Sequence, residues 1–178
     1  MIMTAWTGNY PILRREKMEK ITIRRATPGD AGLILDFIKE LAVYEKMEND
    51  VVASVDGLRE SLLSEGASAK ALIVCLDGKP IGYAVFFYSY STWLGKNGLY
   101  LEDLYITRKY RGCGAGKTVL RYLAKLAVDQ GCGRFEWSVL DWNEPAIEFY
   151  RSIHAKPQDE WVLYRLDGKS LYDFAGSD

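Results

Sequence analysis

Apolar residues recur along this chain at two spacings, alternate positions and every third or fourth, and the switches between them divide it into elements. Ile21-Thr-Ile-Arg-Arg25 alternates and predicts a strand. Thr27-Pro28-Gly29-Asp30 then supplies a helix cap, a proline at the first helical position and an acid three residues after the cap. Leu33, Ile34, Phe37, Ile38 and Leu41 follow at helical spacing, so that helix runs to about Tyr44. Ser54 caps a second predicted helix carrying Leu58, Leu62 and Leu63 and ending near Gly66. Two apolar runs, 71–76 and 81–88, flank Asp77-Gly78-Lys79-Pro80 and read as a hairpin. A further strand, 99–107, is interrupted by Glu102 and Asp103. If that strand is regular, the two acids face opposite ways. A glycine turn, 112–116, leads into a helix with Val119, Leu120, Leu123, Leu126 and Ala127. A strand at 135–140, a helix opened by Asn143-Glu144-Pro145 and a last strand at 161–166 complete the order βααβββαβαβ. That order predicts one α/β domain, a mixed central sheet flanked by helices.

Length and composition narrow the classes. The 178 residues suit a single domain, placed at 21–178 with residues 1–20 as an N-terminal extension. A net charge of -1 provides no positive field to draw nucleic acid or an anionic membrane. No apolar run approaches the roughly 18 to 20 residues of a membrane span. Cys75, Cys113 and Cys132 lack metal-ligand spacing, so no metal is expected and the thiols read as reduced, in the cytoplasm. A Cys–His nucleophile would depend on His154, the lone histidine.

The chemistry-bearing stretch is Arg111-Gly-Cys-Gly-Ala-Gly-Lys117, between a strand and a helix. Glycines let backbone N–H groups converge without Cβ obstruction, and the helix adds its positive end, so a phosphate or pyrophosphate fits. Gly116-Lys117-Thr118 hints at a P-loop, but Arg111 stands where its first glycine belongs. The spacing Gly112-x-Gly114-x-Gly116 also fails the dinucleotide fingerprint. What remains is R-x-x-G-x-G, which resembles the acyl-CoA pyrophosphate signature of the GNAT acetyltransferases.

The likeness extends across the chain. Lys39-Glu-Leu-Ala-Val-Tyr-Glu-Lys-Met-Glu48, Leu99-Tyr-Leu-Glu-Asp103, Tyr110-Arg-Gly-Cys-Gly-Ala-Gly116 and Asp141-Trp-Asn-Glu-Pro-Ala-Ile-Glu-Phe-Tyr150 resemble the diamine branch, the spermidine/spermine and thialysine N-acetyltransferases. Tyr90-Ser91-Thr92-Trp93 and Val139-Leu140-Asp141-Trp142-Asn143 are more similar to its thialysine-type members. The polyamine-specific enzymes carry an aspartate at the place of Ser91. The resemblance implies the GNAT fold, acetyl-CoA as co-substrate, a small-molecule amine as acceptor and a homodimer. It implies that Tyr150 is the general acid for the CoA thiolate. Glu102 interrupts an apolar strand, where a carboxylate is costly unless paired or working, and is expected to take the amine proton or hold the ammonium. Leu104, Tyr105 and Ile106 would bind the pantetheine arm through their backbone. Arg111, Gly112, Cys113, Gly114, Ala115, Gly116 and Lys117 would cradle the pyrophosphate, with Asn143 and Ala146 touching CoA from the next helix. Tyr44, Glu45, Trp93 and Glu102 would line the amine site.

Two departures bear on substrate choice: His154 replaces the family's usual glycine, and the stretch 156–161 is short. Other acceptors (an amino acid, an aminoglycoside-like drug, a protein N-terminus) and a non-catalytic acyl-CoA-binding module therefore stay open alternatives.

Overall fold

A computed structural model describes residues 20–176, so the expected extension falls almost wholly outside the described residues. The chain divides into two compact units, one through Ser138 and one from Val139.

The first unit is a five-stranded sheet in the order β1 (Ile21–Arg25), β2 (Ala69–Leu76), β3 (Lys79–Ser91), β4 (Lys96–Ile106) and β5 (Arg134–Trp137). The first three pairings are antiparallel and β4–β5 is parallel, so the sheet is mixed as expected. Helix α1 (Ala31–Glu45), short helix α2 (Val55–Ser61) and helix α3 (Ala115–Asp129) accompany it.

The predicted start of α1 forms as a capping box ahead of the helix. Asp30 accepts from the Thr27 backbone and hydroxyl and from both terminal nitrogens of Arg24. The Arg24 guanidinium beside it holds the carboxyl far below the usual carboxylate range, which fastens β1 to the helix start. Ser54 Oγ caps α2 by accepting from the Gly57 N–H at 3.1 Å. The β2–β3 hairpin closes on Asp77 and Gly78, both at positive φ, the geometry of a type I′ turn.

Alternation along the strands separates two cores. Ala71, Ile73, Cys75, Tyr83, Val85 and Tyr105 pack with Ile34 and Phe37 of α1. Leu72, Val74, Phe86, Leu99 and Leu101 have the other parity and are equally buried. Helix α3, which contacts β4, β1 and β5, buries Val119, Leu120, Leu123 and Ala127.

The second unit holds α4 (Glu144–Ser152) and α5 (Gly168–Ala175). The expected last strand at 161–166 is not one: those residues carry no regular structure, and the predicted 135–140 strand stops at Trp137. Helix α5 was not expected; Asp167 precedes it, and Leu171 and Phe174 share one face.

His154 sits at φ 64°, in the left-handed region, just after α4. Its N–H donates to the Arg151 carbonyl and the Ala155 N–H to that of Tyr150, a Schellman ending that favours glycine at this position. His154→Gly should therefore stabilise the protein by about 0.5–1 kcal/mol. Urea unfolding measures this, and an unchanged or lower midpoint contradicts it.

Candidate active site

The interrupted strand holds the decisive geometry. Along β3–β4, Val85 pairs with Asp103 but Phe86 pairs with Leu101, so Glu102 is the extra residue of a β-bulge. The bulge flips the phase of β4. Leu101 faces the α3 side, whereas Asp103 and Tyr105 stand opposite Val85 and Tyr83 on the α1 side. The expected regular alternation is thus corrected. Glu102 itself is exposed, and the acid taken out of water is Asp103.

Asp103 accepts a hydrogen bond from the Tyr83 hydroxyl at 3.0 Å. Burial pushes its pKa up while that hydrogen bond pulls it down. Glu45, at the end of α1, is also raised, first by burial and then by the charge of Asp103. Tyr83 feels Asp103, Glu45 and Glu102 together. Three carboxylates from two elements therefore share one region. Among the described residues, no lysine or arginine forms an ion pair with any of them.

At the same point the sheet opens. Pairing of β4 with β5 ends at Leu101–Trp137, whereas β4 stays paired with β3 to Ile106. The Thr107 N–H donates to Ile81 on β3, so alternation turns the backbone of Leu104 and Ile106 toward the open side. Tyr105 points its carbonyl at β3, where it would lie 2.1 Å from a Cβ on Gly82. Of the three expected backbone groups, two face the gap.

The turn after β4 also forms. Gly112 and Gly114 adopt φ of 83° and 86°, which only glycine reaches without strain. Gly114 caps α3, whose first backbone bond runs from Thr118 N–H to the Gly114 carbonyl. The N–H groups of 112–117 stand ahead of that bond, at the positive end of a 15-residue helix. Gly116 has neither a positive φ nor any atom within 4 Å of an added Cβ, so the fold itself does not require glycine there.

Arg111 turns away from this cradle. Its Nε donates to the Ile106 carbonyl at 3.0 Å, and its guanidinium lies 4.3 Å from the Tyr44 ring centre and 5.4 Å from that of Tyr105. It thereby ties the turn to the end of α1, beside Glu45.

Trp93 is 88% exposed in the β3–β4 connection, beyond Lys96. That is roughly 20 Å along the strand from Glu102 at 3.3 Å per residue, so within one chain it does not join the acids. Ser91, buried nearby, accepts from the Leu94 N–H and shapes the same turn. In the second unit Asn143 precedes α4, and its carbonyl accepts from the Ala146 N–H at 3.0 Å. Tyr150 lies seven residues on, edge-on to Phe149.

Sequence reasoning missed Asp103 as a site residue. The signal lies only in phase: a regular strand would set Tyr105 on the face of Leu99 and Leu101, and the bulge moves it to the α1 core.

Among the described residues no helix is long and apolar enough to cross a membrane. Residues 37–154 match the Acetyltransferase (GNAT) family. The thialysine N-epsilon-acetyltransferase of Sus scrofa is 36% identical over 170 residues, covering 89% of this chain and 99% of that protein. The spermidine/spermine N(1)-acetyltransferase-like protein 1 of Homo sapiens is 32% identical over 177 residues, 92% of this chain but 25% of that longer protein. Among solved structures, an integron cassette protein from V. cholerae aligns with a TM-score of 0.73 at 25% identity, covering 88% of this chain and 98% of that one. Glycine turn, opened strand and sequence likeness agree: the chain belongs to the GNAT acetyltransferase family, in the branch of the thialysine and spermidine/spermine enzymes.

Proposed function

We propose that this protein transfers an acetyl group from acetyl-CoA directly to a primary amine of a small cationic acceptor, a thialysine or lysine-like amine, a diamine or a polyamine. The observation that carries the reading is the meeting, at one point of β4, of an opened strand edge with three carboxylates that form no ion pair among the described residues.

The residues fit acetyl-CoA. The outward backbone of Leu104 and the outward N–H of Ile106, whose carbonyl Arg111 already engages, suit the amide-bearing pantetheine arm, as an added strand would. The free N–H groups from Gly112 to Lys117 suit the pyrophosphate. Arg111 serves by anchoring the turn, and Asn143 and Ala146 approach the same co-substrate in the family. Bound there, acetyl-CoA supplies the acyl group as a thioester.

The chain supplies the proton handling and the selectivity. An alkylamine resembles lysine, with a pKa near 10.4, so it arrives as ammonium and must lose a proton before it attacks. Glu45 and Asp103 attract that cation, with Tyr44 beside them. Exposed Glu102 takes its proton through water. Tyr150 returns a proton to the departing sulfur from its hydroxyl.

A second copy of the chain completes the proposal. Val162, Leu163 and Tyr164 are all largely exposed, in an extended apolar segment without regular structure. Such a segment suits pairing with another copy, and Trp93 enters the acceptor site only if that copy brings it. The free thiols of Cys75, Cys113 and Cys132 accord with the cytoplasm.

Thermal stabilisation tests the co-substrate. Acetyl-CoA at about 100 times its Kd adds about 2.7 kcal/mol, a rise of several degrees in Tm. A rise with ATP and magnesium but none with acetyl-CoA would point to a nucleotide enzyme instead.

A further inference from the structure

We infer that Tyr83 is a positioning residue of the acceptor site, whose buried hydroxyl fixes the Asp103 carboxylate for the substrate's ammonium group. The inference rests on the acetyltransferase reading and assigns a task to a side chain that never meets solvent.

Tyr83 is fully buried on β3 and stacks on Phe37 of α1, with ring centres 6.0 Å apart. Its neighbours in that cluster, Ile34, Ile73 and Val85, are apolar. A phenylalanine would fill the same space, and a phenol in such a core is costly unless its hydroxyl is bonded. The bond it makes is to Asp103 Oδ2. That occupies one carboxylate oxygen and leaves Oδ1 for an ammonium donor. It also sets the carboxylate's plane, since a single hydrogen bond from a rigid ring removes its freest rotation.

The groups around the pair favour this use. Glu45 faces it from α1 and Glu102 from β4, both acidic. Cys75 of β2 shares the cluster, and Tyr105 farther along β4 engages Glu40 and Arg111 instead. Burial and the neighbouring acids push the Tyr83 phenol above its ordinary range, so it stays a donor at every working pH. Burial favours the neutral form of Asp103, and Tyr83 opposes it by bonding the charged form.

Tyr83→Phe keeps the ring and removes only the donor. KM for the amine should rise about tenfold, the loss of one hydrogen bond to a charged group, with kcat at saturating amine within about twofold. Because the hydrogen bond lowers the Asp103 pKa, its removal raises it, and the acid limb of kcat/KM moves to higher pH. Asp103→Asn should raise KM similarly, and adding Tyr83→Phe to it should cost nothing further. An unchanged KM and acid limb in folded Tyr83→Phe protein overturns the inference, as does full additivity of the two changes. Carbon-13 titration of the Asp103 carboxyl provides a readout independent of turnover, and an unshifted pKa in Tyr83→Phe also overturns it. Wild-type protein that acetylates no amine would count against the acetyltransferase reading instead, leaving the Asp103 titration to decide whether Tyr83 holds that carboxylate.

Discussion

Tyr150→Phe is expected to lower kcat about 10²-fold or more, the low end of what a positioned acid contributes. KM for both substrates should stay within about twofold, because the missing hydroxyl acts only as the thiolate departs. The fold predicts a clean comparison. The Tyr150 carbonyl accepts from Ile153 and Ala155 where α4 ends, contacts that the substitution leaves intact. Its ring, 5.8 Å from that of Phe149 between centres, is retained in phenylalanine. Steady-state kinetics with each substrate varied in turn measure both parameters. A variant as fast as the wild type would remove Tyr150 from the chemistry and leave the thiolate to be protonated by solvent.

Gly116→Ala should separate stability from binding. In the first turn of α3 this glycine is conformationally ordinary and has open space around it. Alanine there gains up to about 1 kcal/mol from helix propensity, so Tm should rise by a few degrees. The added methyl stands among the N–H groups that the pyrophosphate approaches, and the Kd for CoA should weaken at least about tenfold, some 1.4 kcal/mol. Calorimetric titration alongside a melting curve reads both. Higher stability with unchanged affinity would mean that the turn binds no phosphate.

Much of this was legible because it is local. Thr27 and Asp30 cap a helix start with their own side chains. Asp77 and Gly78 accept the positive φ that a tight hairpin needs, and the glycines of 112–116 announce a turn at a helix N-terminus. These signals need no knowledge of distant chain. The bulge at Glu102 was harder, because it shows only when the phases of Leu101 and Tyr105 are compared across two cores. The two acids were therefore expected to alternate as in a regular strand, and the acceptor role was given to Glu102 rather than to its more buried neighbour. The segment 161–166 failed for another reason. Its alternation is a real strand preference, but a strand forms only when another edge takes up its hydrogen bonds. Trp93 shows the same limit, since an aromatic side chain in a sequence does not reveal whether it lies in a core or, as here, exposed in a hairpin turn.

The most direct test of the central claim is release of free thiol from acetyl-CoA by the wild-type protein, offered thialysine, lysine, putrescine, spermidine and spermine in parallel. The account predicts thiol release that depends on the amine, with one N-acetylated product formed per thiol. Protein that is folded and binds CoA, yet releases no thiol with any of these amines, would contradict it.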